Sequence, residues 1–155
     1  MNLFTEDHRI VEANGGDNNM TGAAMTAKYV SLENYHHCTI VIMSHAWAGG
    51  TAAVTVNASS TLTGTAVSAL GIAKQWTGDS SDGTLAETAV TSDTFTISAA
   101  DQTHIIEIDA QSLPTGYPCL TLVVATPGAN NDYYSAVYIL SRPRYAGTST
   151  IDPTA

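Results

Sequence analysis

The tightest constraint on this chain is an alternation with a period of two. In His104-Ile-Ile-Glu-Ile-Asp109, Ile106 and Ile108 fall on one face and Glu107 and Asp109 on the other, and Thr94-Phe-Thr-Ile-Ser98 repeats in the same way. A helix would repeat every 3.6 residues, so both segments are predicted to be half-buried strands. Cys38-Thr-Ile-Val-Ile-Met-Ser44 and Cys119-Leu-Thr-Leu-Val-Val-Ala125 carry apolar residues on both faces, which predicts central strands. Residues 28–33, 52–57 and 134–140 continue the β-branched pattern, for some eight or nine strands in all.

Composition agrees with a pleated chain. Only 12% of the 155 residues are charged, against about 25% in an average domain. Ala, Thr, Gly and Ser take up the difference, which is poor material for amphipathic helices and good material for sheet. At this size roughly two-thirds of the extended chain's surface is buried on folding, so a single domain needs no staple. The formal net charge is −9, and the five cations are scattered as Arg9, Lys28, Lys74, Arg142 and Arg144. Without a basic patch, neither nucleic acid nor an anionic membrane is an expected partner. No stretch approaches the ~20 apolar residues of a membrane span, and the first residues lack a signal-peptide pattern. That predicts folding in a cytosol, with Cys38 and Cys119 as free thiols.

Along the chain, residues 1–26 read as an extended arm, 27–146 as the sandwich body and 147–155 as a tail. The arm reading rests on Ala13-Asn-Gly-Gly-Asp-Asn-Asn19, which favours turns over regular structure. Leu3, Phe4, Ile10 and Val11 precede that stretch as apolar anchors suited to docking on a partner, the alternatives being a frayed terminus or an arm folded back to add an edge strand to its own sheet. The strands at 28–33, 38–44 and 52–57 are expected to form a meander. Residues 67–76 are read as one strand, with any helix confined to a turn or two there. Arg142-Pro143-Arg144 is expected to end the last strand, because proline cannot donate to a ladder.

The search for chemistry yields no catalytic residues, no metal ligands and no cofactor. His36, His37, Cys38 and His45 are close in sequence, but neighbours on a strand point to opposite faces and no second ligand pair follows. Asp79-Ser-Ser-Asp-Gly lacks the ligand spacing of a calcium loop. Glu107 and Asp109 share a strand face as a glycosidase pair would, yet solvent-facing acids explain the same spacing. No Gly-x-Ser-x-Gly elbow supports a hydrolase. Trp47, Trp76, Tyr117, Tyr133 and Tyr134 suit either a sugar platform or ordinary packing.

Ile105-Ile-Glu-Ile-Asp-Ala-Gln-Ser-Leu-Pro-Thr-Gly-Tyr-Pro-Cys-Leu-Thr-Leu-Val-Val124, Tyr134-Ser-Ala-Val-Tyr-Ile-Leu-Ser-Arg-Pro-Arg-Tyr-Ala146 and Tyr29-Val-Ser-Leu-Glu-Asn-Tyr resemble small virion proteins of tailed bacteriophages, in particular capsid decoration (cement) proteins. The resemblance implies an all-β, jelly-roll-like antiparallel β-sandwich with an extended N-terminal arm. It also implies a non-enzymatic protein on the exterior of a virion capsid, assembled in the bacterial cytoplasm. Its implied partners are the major capsid protein and further copies of itself in a homotrimer. The alternative, drawn from the aromatics, is a carbohydrate-binding or host-adhesion module.

Overall fold

The computed structural model describes residues 4–14, 18–20, 22–144 and 153–154. In chain order the strands are β1 (His8–Glu12), β2 (Asn18–Asn19), β3 (Met25–Thr26), β4 (Val30–Ser31), β5 (Tyr35–Ser44), β6 (Ala52–Ser59) and β7 (Val67–Leu70). They continue with β8 (Lys74–Asp79), β9 (Ala86–Ala89), β10 (Phe95–Ile97), β11 (Gln102–Asp109), β12 (Cys119–Val124) and β13 (Tyr133–Pro143). Among the described residues helix is limited to one turn, α1 (Phe4–Asp7), and a 3-10 turn at Ala110–Ser112.

Two antiparallel sheets face each other in a jelly-roll-like sandwich. The larger runs β1-β13-β5-β11-β8-β9, with β2 also on β13. The smaller runs β10-β6-β12-β3, with β4 on β12 and β7 on β6. The alternation seen in the sequence sets the register: Ile106 and Ile108 point into the core beside Ile40 and Cys38, while Glu107 and Asp109 point outward. A slip of one residue would expose the whole set. Tyr138 joins the layers, its hydroxyl accepting the Leu122 N–H at 2.9 Å and donating to the Lys28 carbonyl at 3.1 Å. Burial raises the pKa of this phenol, as it does for Tyr134, pushed up to about 12. Both thiols are buried and unpaired, and desolvation pushes the Cys38 thiol up.

Several sequence expectations are corrected. β5 and β6 lie in different sheets, so there is no meander. Each carries an apolar inner face, and crossing between layers lets both faces bury against each other. The segment read as one strand over 67–76 breaks at Gly71-Ile72-Ala73, placing β7 in the smaller sheet and β8 in the larger. Ile72 is buried at this crossing, only 4% exposed. The helical turns fall at residues 4–7 and 110–112 rather than within 67–76.

The described residues of 1–26 follow the fold-back alternative rather than forming a free arm. β1 adds an edge strand to β13 with Ile10 opposite Ile139, and β3 pairs with β12. Ala13, Asn14 and Met20 are buried. Asn14 is held because its side-chain oxygen accepts the Ala136 N–H at 2.7 Å, which closes the gap in the ladder beyond β1. In the tail, Pro153 is buried and its carbonyl accepts the Ser31 N–H at 2.9 Å.

Candidate interaction surface

The outer face of the larger sheet has no layer over it among the described residues. Cross-strand register places Ile10, Ile139, Thr39 and Glu107 in one row. The next row holds Glu12, Val137, Val41, Ile105, Trp76 and Glu87. A third holds Ser135, Met43, Thr103 and Gly78. Every one of these residues is half-buried or exposed, and Ile10 is 57% exposed. An aliphatic band containing one tryptophan therefore crosses the sheet, with Lys74 and Glu87 paired at 2.8 Å on one flank. Isolated exposed hydrophobic residues are unremarkable; a contiguous apolar patch marks an interaction site.

One corner of this face is polar. His8, Ser141, His37 and Asp109 form the end row, and His8, His37 and Ser141 line a hollow of about 520 Å³ with Asp7, Arg142 and Pro143. The His37 ring lies between two carboxylates, with Nδ1 2.9 Å from Asp109 Oδ1 and Nε2 in contact with Glu107. Phe4 stacks on His8 with ring centroids 4.2 Å apart.

The sequence-predicted residues divide. Phe4 and Ile10 are exposed at this corner and edge, Val11 packs against the core, and Leu3 lies outside the described residues. The histidine run is not brought together: Cys38 faces the core, His37 faces Glu107 and Asp109, and His45 Nε2 is 2.9 Å from the Ser135 hydroxyl. Among the described residues no group of three or more His, Cys, Asp or Glu side chains could hold a metal ion. Asp79 and Asp82 instead accept the N–H groups of Ser81 and Thr84 within their own turn, and the Ser81 hydrogen bonds hold the Asp79 carboxyl below its usual range. The aromatics scatter too. Tyr134 is in the core, Trp76 is on the open face, and Tyr117 lines a separate hollow with Glu33 and Arg144.

Sequence reasoning missed Val41, Ile105, Val137 and Ile139 as surface residues. The signal was present in 38–44 and 134–140, where both faces are apolar. In 38–44 that pattern marks a central strand, yet a central position in the sheet covers neither face.

The fold is that of the two-sheet antiparallel β-sandwich proteins. No family model matches the chain, and no curated protein matches it. Among solved structures it is similar to the SPBc2 prophage-derived protein YomS, at 9% identity over 87% of this chain and 94% of that one, with a TM-score of 0.47. It is also similar to the CBM22-1–GH10 modules of a Clostridium thermocellum endo-1,4-beta-D-xylanase, at 12% identity over 88% of this chain and 25% of that one, TM-score 0.37. A third similarity is to the structure of infectious bursal disease virus, Gt strain, at 10% identity over 94% of this chain and 44% of that one, TM-score 0.24.

Proposed function

We propose that this is a non-enzymatic virion structural protein that decorates and stabilises the outside of a bacteriophage head, seating the outer face of its larger sheet on major capsid subunits. One observation carries the reading: Ile139, Val137, Val41, Met43, Ile105 and Trp76 stand at outward positions of neighbouring strands, and no second layer covers them among the described residues. The missing layer is supplied by a partner. Resemblance of the strand and turn segments to decoration proteins supplies the setting, and the exposed Ile10 extends the same face to the sheet edge.

Size argues for several copies acting together. Five strands about 4.8 Å apart with about 15 Å of apolar length give a face of roughly 350 Å². A standard interface uses ~800 Å² per partner. A homotrimer docking at a symmetry axis multiplies the contact without requiring a larger face on each subunit. Trp76 on a flat, open sheet also favours a second reading, a carbohydrate-binding or host-adhesion module, which a glycan array tests directly.

The decisive experiment is co-sedimentation with heads of a phage that encodes the chain. Native protein is expected to pellet with the shells at saturable stoichiometry, and the Val41→Glu, Ile139→Glu double variant is expected to stay in solution while keeping its fold. Equal sedimentation of both proteins would remove the sheet face from the reading.

A further inference from the structure

Away from that face, the end of the sandwich holds a hollow that head binding leaves unused. Its walls come from four segments: the turn before β12, the 3-10 turn and the residue after it beyond β11, residues 32–33 after β4, and Arg144 after β13. It encloses about 390 Å³, inside the ~300–1,000 Å³ range of small-molecule sites. Leu32, Leu113, Pro114 and Pro118 make the lining apolar, and the half-buried Tyr117 supplies an aromatic ring. Backbone hydrogen bonds fix these segments against one another. The Tyr117 N–H donates to the Pro114 carbonyl at 3.0 Å, closing a turn in which Gly116 takes a φ of +84°. The Leu32 N–H donates to the Pro118 carbonyl at 2.8 Å, and the Arg144 N–H to the Asn34 carbonyl at 2.9 Å. A lining tied in this way needs little ordering when a ligand arrives.

The charges in the hollow select the ligand. Glu33 and Arg144 are both exposed and line the same space, yet neither has an ion-pair partner among the described residues. An anion entering here would meet the carboxylate, and a cation would meet the guanidinium. A neutral polyol meets no like charge: its hydroxyls donate to the carboxylate and accept from the guanidinium, while the C–H face of a sugar ring packs on an aromatic side chain. A neighbouring hollow of about 320 Å³ shares Glu33 and Pro118 and is lined by the uncharged Ser31, Asn34, Ser60 and Thr61. Hydroxyl and amide groups of that kind suit a second sugar unit.

We propose that these two hollows form a site for a neutral saccharide, with one pyranose ring stacked on Tyr117 and hydrogen-bonded to Glu33 and Arg144, and the next unit lying over Ser60 and Thr61. The site deepens the carbohydrate-binding reading at a place other than Trp76. It lies at the end of the sandwich and not on the outer face of the larger sheet, so it neither needs head binding nor competes with it.

The test is a titration of the nitrogen-15-labelled full chain, read by its backbone amide shifts. The probes are the methyl glycosides of glucose, galactose and mannose and the disaccharides cellobiose, maltose and lactose. Shifts centred on residues 32–34, 113–117 and 144 are expected with at least one of them. Ligand size puts the monosaccharide Kd near ~1 mM, and a disaccharide filling both hollows should bind roughly tenfold more tightly. Tyr117→Ala is expected to weaken binding at least about tenfold and Tyr117→Phe to keep it within about twofold, because stacking needs the ring and not the hydroxyl. Should Tyr117→Ala fail to fold, Glu33→Ala with Arg144→Ala changes only exposed side chains and is expected to weaken binding by about tenfold as well. Trp76→Ala is expected to bind as the native chain does. No shift with any of these sugars up to about 50 mM, far above the expected Kd, overturns the proposal. Equally tight binding of glycylglycine, whose opposite charges also suit Glu33 and Arg144, overturns the saccharide assignment. Binding kept in Tyr117→Ala and lost in Trp76→Ala overturns this site while leaving the carbohydrate reading of the sheet face in place.

Discussion

The two sheets of the sandwich share a core, yet their outer faces are built from different residues. On the smaller sheet the outward positions hold Ala53, Thr55, Asn57, Ala69 and Thr96, and Val67 and Val123 are its larger aliphatic members among the described residues. On the larger sheet the equivalent positions include Ile10, Val41, Ile105, Val137, Ile139, Met43 and Trp76, beside polar members such as Thr39, Thr103, Ser135 and Glu107. Small polar side chains leave water undisturbed over a sheet; branched aliphatic ones gain about 25 cal/mol for each Å² of apolar surface removed from it. The proposed function rests on this asymmetry: it gives the more aliphatic face, not the other, to a partner.

The largest effect comes from erasing the difference. Replacing Val41, Val137 and Ile139 by Thr should make the larger sheet resemble the smaller and reduce head binding more than about 100-fold, a loss of at least ~2.7 kcal/mol spread over three contacts. Thr55→Glu with Thr96→Glu on the smaller sheet should leave binding within a few-fold in the same sedimentation assay. If the two sets weaken binding equally, the outer faces are not distinguished by function.

Next in size is the contact that holds the sheets face to face. Tyr138→Phe leaves the Leu122 N–H without its acceptor in a dry interior, and denaturant unfolding should report a loss of about 2–3 kcal/mol. Both outer faces should survive unchanged in the folded fraction, so head binding by the folded variant should not move.

The inner faces also predict a dependence on pH. His104 is buried on the larger sheet, its Nδ1 3.3 Å from Gln75 Oε1 and its ring 5.5 Å from that of Phe95 on the smaller sheet, with no charged group contacting it. Burial lowers its pKa to about 4 from an ordinary 6.5. The folded state thus prefers the neutral ring, and the unfolded chain takes up the proton first. The contribution is fully present above pH 6.5 and is lost as pH falls from 6.5 through about 4, amounting to about 3 kcal/mol. Urea midpoints across that interval should flatten by about this amount in His104→Gln; an unchanged slope would refute the assignment.

The smallest effect is expected at the polar corner. His37→Ala removes contacts to Glu107 and Asp109, whose side chains are 40% and 65% exposed. Water screens such pairs, so the thermal midpoint should correspond to a loss below about 1 kcal/mol. A larger loss would mean that the corner, like the core, organises the sheet.

The sequence by itself determined that the chain is pleated, which segments pleat, and which side of 104–109 turns inward. Those are local properties, carried by alternation over a few residues and by turn-forming clusters between them. Only the tertiary structure decided which strands share a sheet, because pairing depends on residues far apart, such as Ile10 with Ile139 and Leu122 with Val56. The N-terminal segment shows the same limit. Asn14 reads as a breaker in isolation, yet it satisfies the Ala136 N–H across 122 residues of chain. The aliphatic outer face was half legible: apolar residues on both faces of 38–44 were visible, but which face lacked a cover was not. The burial of Asp132 was not legible, since it arises from loops brought together from three parts of the chain.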